Sequence, residues 1–329
     1  MESNEEKETA RSEAPSSRSV SRSSFSFLLF PFSFSWRAQQ KLAPYLFVSP
    51  FLILFCVFGV YPIVKSLYLA FHCTNGPRSV VFTGLDNFWF LISDPDFITA
   101  LKNTAIFAFF SIFLQLPLAL GLALLLNATW LKGRNTFRFI FFAPNLVGQV
   151  FVGFLGGVVF SPRYGLFSKF MTFAMGLDPD IKWLGDDQFV MPTLVLIALW
   201  MYVGYNCIYF LAALQSVERE LHEAAAVDGA NAWQRFWHIT VPAIKPVVLI
   251  VVIMSTLGSF QLFELPYTLL NSTSGPNKAG LTIVMYLYQR GFDIGNLGYA
   301  STIGWTLALI VMMISFAQKQ MSGAMRGND

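Results

Sequence analysis

Six stretches of this chain run without a single Asp, Glu, Lys or Arg: Ala43–Val64, Asn103–Leu131, Phe139–Pro162, Gln188–Val217, Pro246–Phe263 and Ile294–Gln318. Each reaches the roughly 18 residues that a helix needs to cross about 30 Å of hydrocarbon. Each is rich in Leu, Ile, Val and Phe. In lipid an unpaired backbone amide finds no water, so only helices or closed barrels can span. Barrel strands are about ten residues long and alternate polar with apolar; these runs do neither. The sequence therefore predicts an all-α membrane protein with six spans. Composition agrees, with 12% charged residues, about half the share of an ordinary soluble domain.

Lys and Arg predict the orientation. With the N-terminus in the cytoplasm, the inner segments are 1–44, 132–138, 218–245 and 319–329. They carry 14 of the 22 basic residues; 65–102, 163–187 and 264–293, outside, carry 8. Lys132, Arg134 and Arg138 crowd the shortest inner loop. That bias places both termini inside. The predicted domains are a tail over 1–42, a six-helix membrane domain over 43–318 and a tail over 319–329. Residues 1–24 are Ser-, Glu- and Arg-rich and read as a disordered tail. Phe25–Trp36 is apolar but twelve residues long, with Pro31 inside. It is too short to span and reads as an interfacial segment on the inner leaflet. The long polar tail before it argues against a signal peptide.

Several function classes drop out early. The net charge of +3 is small and scattered, so nucleic acid is not an expected partner. Cys56, Cys73 and Cys207 are odd in number and irregularly spaced, and His72, His222 and His238 are dispersed. Neither a disulfide framework nor a metal site is expected.

The most informative segment is Ser216–Pro246, SVERELHEAAAVDGANAWQRFWHITVPAIKP. Val217, Leu221, Ala224 and Ala225 recur at helical spacing, with Glu218, Arg219, Glu220 and Glu223 on the other face. Gly229 supplies a stop, since glycine enters the left-handed region without strain. Asn231 can cap a second helix, with Gln234 as its capping-box partner. That helix carries Trp233, Phe236, Trp237 and Ile239, and Pro242 and Pro246 mark entry into the next span. The segment predicts a helix–turn–helix elbow.

The spacing Glu223-Ala224-Ala225, Gly229, Ile239-Thr240-Val241-Pro242, with Asp228-Gly229-Ala230 and Phe236, resembles the EAA loop of binding-protein-dependent ABC importer permeases. Val241 stands where that pattern usually has Leu. The resemblance implies the type I importer permease fold of six transmembrane helices, with the elbow as a cytoplasmic coupling helix seated in a cleft of an ATP-binding subunit. Glu223, Ala224, Ala225, Asp228, Gly229, Ala230, Phe236, Ile239 and Pro242 would form that joint. The chain carries no G-x-x-x-x-G-K-[ST] loop, so it is expected to bind no cofactor and catalyse nothing alone. ATP and Mg would be used by two partner ATPase subunits.

Leu269–Pro276, Tyr286–Tyr288 and Gly298–Ala300, with Gly165-Leu166-Phe167 and Trp183-Leu184, resemble the carbohydrate-importer branch, which includes maltose-, trehalose- and glycerol-phosphate-type permeases. Ser274 departs from the branch's usual Gly. The resemblance runs from about Tyr45 to Gln318 and implies a second, homologous permease, an extracytoplasmic solute-binding protein, a sugar substrate and a bacterial or archaeal plasma membrane. It also places Phe260, Gln261 and Glu264 where maltose-type permeases contact sugar.

The residues alone allow that placing. Gln261 and Glu264 stand at i, i+3 and are expected on one face of the fifth helix, and an ionisable group at membrane depth usually faces a cavity. Glu264 as a simple helix end at the outer interface is the competing reading. Tyr202, Tyr205, Asn206 and Tyr209 follow i, i+3, i+4, i+7 and make one polar stripe on the fourth span, for a path or for neighbouring helices. For Gln115, Asn145 and Gln149, helix packing is the expected role. A glycerol-phosphate or polyamine cargo stays open, although the spans offer a phosphate no basic group. A secondary transporter would need coupling charges or repeats inside the spans and would leave the elbow unexplained.

Overall fold

The structure is a computed structural model that describes residues 36–74, 79–128, 130–178 and 180–324. Residues 1–35, which take in most of the N-terminal tail and nearly all of Phe25–Trp36, lie outside the described residues. The chain divides into two compact units, residues 1–59 and 60–329. The first helix begins at Trp36, ahead of the expected boundary at 43, and holds the candidate span Gln40–Ala70, 31 residues of high hydropathy, with a π turn at Cys56–Val60.

Among the described residues, four more helices are long and apolar enough to cross a membrane: Pro95–Asn127, Asp187–Gln215, Ala232–Phe260 and Leu297–Met321. The third apolar run departs from the expected straight helix. It forms Arg134–Leu146 and Gln149–Val159, bent by 95°. Counted as one broken span, the pair makes six. Pro144 lies in the last turn before the break, and Gly148 follows with φ +83°. A proline followed by a residue in a glycine-favoured conformation is enough to end a helix. A hydropathy count registers both as merely uncharged.

The fourth span, Asp187–Gln215, is the centre of the second unit. More than half of its apolar window is buried, against about a fifth for the fifth and sixth spans. It packs on the second span, on Arg134–Leu146 and on the fifth span. Three apolar clusters divide the core. One gathers Val190, Leu194, Ile197 and Met201 against Leu262, Leu265 and Leu269. A second joins Phe97, Ala100, Leu281, Ile283 and Ile303. A third joins Leu116, Ala119 and Ala123 with Phe210, Leu214, Ile244 and Val251. Burying a Leu or Ile side chain contributes roughly 1.5–3 kcal/mol, although lipid lowers the contrast on the outer faces.

Two short strands, His72–Thr74 and Val80–Phe82, pair antiparallel with His72 opposite Phe82. They were not expected from the apolar runs and are the departure from an all-α chain. Short helices follow at Asp86–Ser93 and Leu166–Met175.

Candidate functional site: an exposed elbow and a polar cavity

The elbow forms from local hydrogen bonding. Its first helix is Arg219–Val227. Asp228 ends it, and Gly229 follows with φ +82°. Gly229 N–H donates to Ala226 O at 3.1 Å and Ala230 N–H to Ala225 O at 2.9 Å, the 5→2 and 6→1 pair of a Schellman turn. A Cβ at Gly229 would meet nothing within 4 Å, so backbone conformation, not space, requires glycine. Asn231 then caps the second helix: its Oδ1 accepts from Gln234 N–H at 2.9 Å, and Gln234 Oε1 accepts from Asn231 N–H at 2.8 Å. The expected capping box is therefore present.

One expectation about the elbow changes. Its second helix is not a separate piece joined to the fifth span at Pro242. Ala232–Phe260 runs as one 29-residue helix, with a π turn at Phe236–Thr240. Pro242 sits in the first turn after it, inside the continuous helix, where it removes one ladder hydrogen bond without ending the helix. The elbow's second helix and the fifth span are thus one element. Glu223, Ala224, Asp228, Gly229 and Pro242 are exposed; Ala225, Ala230, Phe236 and Ile239 are half-buried. Behind the elbow lies a groove of about 700 Å3 whose wall includes Trp130, His222, Arg235 and Phe236.

A second concavity lies within the bundle, about 500 Å3 in volume. The fourth span supplies Tyr202, Tyr205 and Asn206; the fifth supplies Ser255 and Ser259; the segment beyond it supplies Gln261, Phe263 and Glu264. Gln115 and Gln149, expected to serve packing, also line it, together with Ser111. Asn145 does not. Among the described residues lining the cavity there is one carboxylate, Glu264, and no Lys, Arg or His.

Three sequence-based placements are corrected. Gln261 and Glu264 do not share a helix face: the fifth span ends at Phe260, Gln261 is its C-terminal cap, and Glu264 begins a new helix, Glu264–Leu269, after an irregular Phe263. The break makes the backbone turn, and the two side chains still reach one cavity. Phe260 is 5% exposed and packs with Leu281, Ile283 and Tyr299 instead of lining the wall. Tyr209 is outside the wall as well, with its hydroxyl 2.8 Å from that of Tyr205.

Sequence reasoning missed a polar cluster at the start of the second span. Asp94 is 4% exposed. It caps the helix by accepting from Asp96 N–H at 3.0 Å. It also accepts from the hydroxyls of Tyr286 and Tyr299, the latter at 2.6 Å. Arg290 stands 3.7 Å from the same carboxylate and donates to Tyr286 Oη at 2.8 Å. Burial alone would raise the Asp94 carboxyl; the hydrogen bonds from Tyr286, Tyr299 and Asp96 outweigh it and hold the group below the usual carboxylate range. Burial, with the bond to Asp94, pushes the Tyr286 hydroxyl up to about 12. The Asp94-Pro95 pair, a cap residue before a proline at the first helical position, was the available sequence signal.

Residues 103–326 match the family described as "Binding-protein-dependent transport system inner membrane component". This chain belongs to that family. The matched residues take in the elbow and every residue lining the cavity, and they leave out the first helix, the strand pair and Asp94. Among the family's members, the arabinooligosaccharides transport system permease protein AraP of Bacillus subtilis is 37% identical over 88% of this chain and 91% of its own length. A crystal structure of a bacterial ABC transporter involved in the import of the acidic polysaccharide alginate contains a chain of the same fold. It has a TM-score of 0.76 and 26% identity over 88% of this chain and 98% of that one. A structure of the bacterial alginate transporter in complex with an alginate pentasaccharide-bound periplasmic protein matches with TM-score 0.75 and 26% identity, over 87% of this chain and 96% of that one.

Proposed function

We propose that this permease moves a sugar or oligosaccharide across the plasma membrane as part of an ATP-driven importer, both termini inside. An extracytoplasmic binding protein delivers the cargo on one side. Two ATPase subunits, which use ATP and Mg, engage the elbow on the other. A second, homologous permease completes the pathway, and this chain is the non-catalytic membrane subunit.

The observation that carries the reading is the elbow's continuity with the fifth span. Ala232–Phe260 joins the exposed turn at Gly229 to the segment holding Gln261 and Glu264 at the cavity. A helix of 29 residues reaches about 43 Å, so a push at one end is a displacement at the other, the kind of rigid-element shift that drives alternating access. Glu223 offers its exposed carboxylate to a basic group in the ATPase cleft, and exposed alanines let the helix approach closely. The cavity suits a sugar: amides and hydroxyls pair with sugar hydroxyls, and Tyr202 and Phe263 offer aromatic faces for ring C–H surfaces.

The test is uptake and ATPase stimulation in the assembled complex. Glu223→Lys and Gly229→Pro are each expected to lower uptake at least about a hundredfold while insertion and complex recovery persist, because the joint is broken and the spans are not. Full uptake in either variant would remove the elbow from the coupling path. Gln261→Ala combined with Glu264→Ala is expected to impair uptake with the complex intact; unchanged uptake kinetics would move the sugar site elsewhere.

A further inference from the structure

The cavity carries charge of one sign. Its polar wall is built from neutral groups, the amides of Gln115, Gln149, Asn206 and Gln261 with several hydroxyls, and the single ionisable acid is Glu264. No Lys, Arg or His stands among the described lining residues to offset it. Immediately behind Glu264 the backbone enters apolar packing: Leu262 is 4% exposed and Leu265 fully buried. Glu264 itself is exposed to the cavity, so its carboxylate acts on a passing charge as groups near a protein surface do.

A neutral saccharide passing this point exchanges water for amide and hydroxyl partners without a charge penalty. An anionic saccharide loses hydration and meets a like charge that none of this chain's described lining residues offsets. Recognition of a carboxylate or phosphate would call for a guanidinium or ammonium in the wall. The fold itself does not forbid acidic cargo, since a chain at TM-score 0.76 belongs to an importer of the acidic polysaccharide alginate. Any selection by charge must then come from individual side chains in the wall and not from the fold.

The geometry points to Glu264 as a charge filter: this permease passes uncharged saccharides and rejects anionic ones such as uronates and sugar phosphates. The inference rests on the saccharide reading above and narrows it.

The experiment uses the full complex of this chain with its partner permease and ATPase subunits in lipid nanodiscs, without binding protein, so that the cavity alone discriminates. Two probes are titrated: arabinotriose, and the same trisaccharide oxidised at its reducing end to the aldonate. The readout is the ratio of their dissociation constants. The wild-type complex is expected to favour the neutral probe by about tenfold or more. Glu264→Gln, nearly isosteric, is expected to bring that ratio within about threefold of unity, and Glu264→Asp to preserve the preference. Equal binding of both probes by wild type, or a preference that survives Glu264→Gln, overturns the filter and leaves the saccharide reading standing. Binding of neither probe removes the saccharide site from this cavity, and the filter with it.

Discussion

At the elbow, the turn and cap hydrogen bonds join residues three to five positions apart, Asn231 with Gln234, Gly229 with Ala226 and Ala230 with Ala225, and the longest reach, Arg235 to His222 O at 3.4 Å, stays within the elbow. At the other end of the second span, about 50 Å away along a 33-residue helix, they reach across the sequence. Asp94 pairs with Tyr286 and Tyr299, Thr74 Oγ1 accepts from Gly298 N–H at 2.9 Å, and Thr104 Oγ1 accepts from Ile283 N–H at 3.1 Å. A locally closed structure can move as a unit without giving up its own bonds. A structure closed over long range holds separate helices in register, and moving one of them breaks bonds. The difference fits a machine driven at one end and braced at the other.

Removing the brace is the strongest way to sharpen that comparison. Asp94→Ala leaves two buried hydroxyls and Arg290 without their shared acceptor, and loss of one partner of a buried charged network costs about 3–5 kcal/mol. Thermal unfolding of the purified complex in detergent should show a large drop in midpoint; a change equivalent to less than about 1 kcal/mol would mean the network braces nothing. The pH dependence has a definite sign. The folded carboxyl lies below its ordinary value, so its stabilisation is fully present above the ordinary carboxylate range and is lost as pH falls through the lower, folded value. The gap between wild type and Asp94→Asn should therefore persist at neutral pH and narrow only on strong acidification.

Gly229→Val should behave in the opposite way. Forcing a β-branched side chain to φ +82° costs roughly 1–2 kcal/mol, charged to the elbow alone. Uptake should fall steeply while the unfolding midpoint of the complex barely moves. A midpoint drop as large as that of Asp94→Ala would erase the distinction between the two ends. Asn231→Ala is the milder version. It removes one cap, worth about 1 kcal/mol, and faster hydrogen exchange should stay confined to the amides of Ala232 to Arg235.

The same contrast explains what was legible from the amino acids. The apolar runs and the elbow could be read because their signals are local: unbroken hydrophobicity, a glycine stop, a cap and its partner three residues on. The branch motif Gly298-Tyr299-Ala300 could be recognised but not explained. Its reasons lie far off in sequence, since a Cβ on Gly298 would fall 1.9 Å from His72 O and Tyr299 reaches Asp94. The cavity was half legible. The stripe on the fourth span showed three of its residues through helical spacing. Gln115 and Gln149 looked like packing, because nothing near either one in the chain says which helix it will face. Glu264 was placed on the wrong element because its apolar run continues to Phe263, whereas the helix stops at Phe260.

Tyr209 gives the smallest and most pointed prediction. It shares a helical stripe with Tyr205 and Asn206, yet it lies outside the cavity wall and meets it at Tyr205, through a hydroxyl bond at 2.8 Å and an edge-to-face ring contact at 5.2 Å. Both rings are partly accessible, so losing that one bond should cost at the lower end of the usual 0.5–1.5 kcal/mol, about half a kcal/mol. Tyr209→Phe should leave the unfolding midpoint unchanged and shift the apparent KM for cargo by no more than about threefold, whereas Asn206→Ala, which cuts into the wall itself, should shift it further. If Tyr209→Phe had the larger effect, the cavity would have to extend along the fourth span toward the elbow, and the driven and braced ends would meet in the substrate path instead of being separated by it.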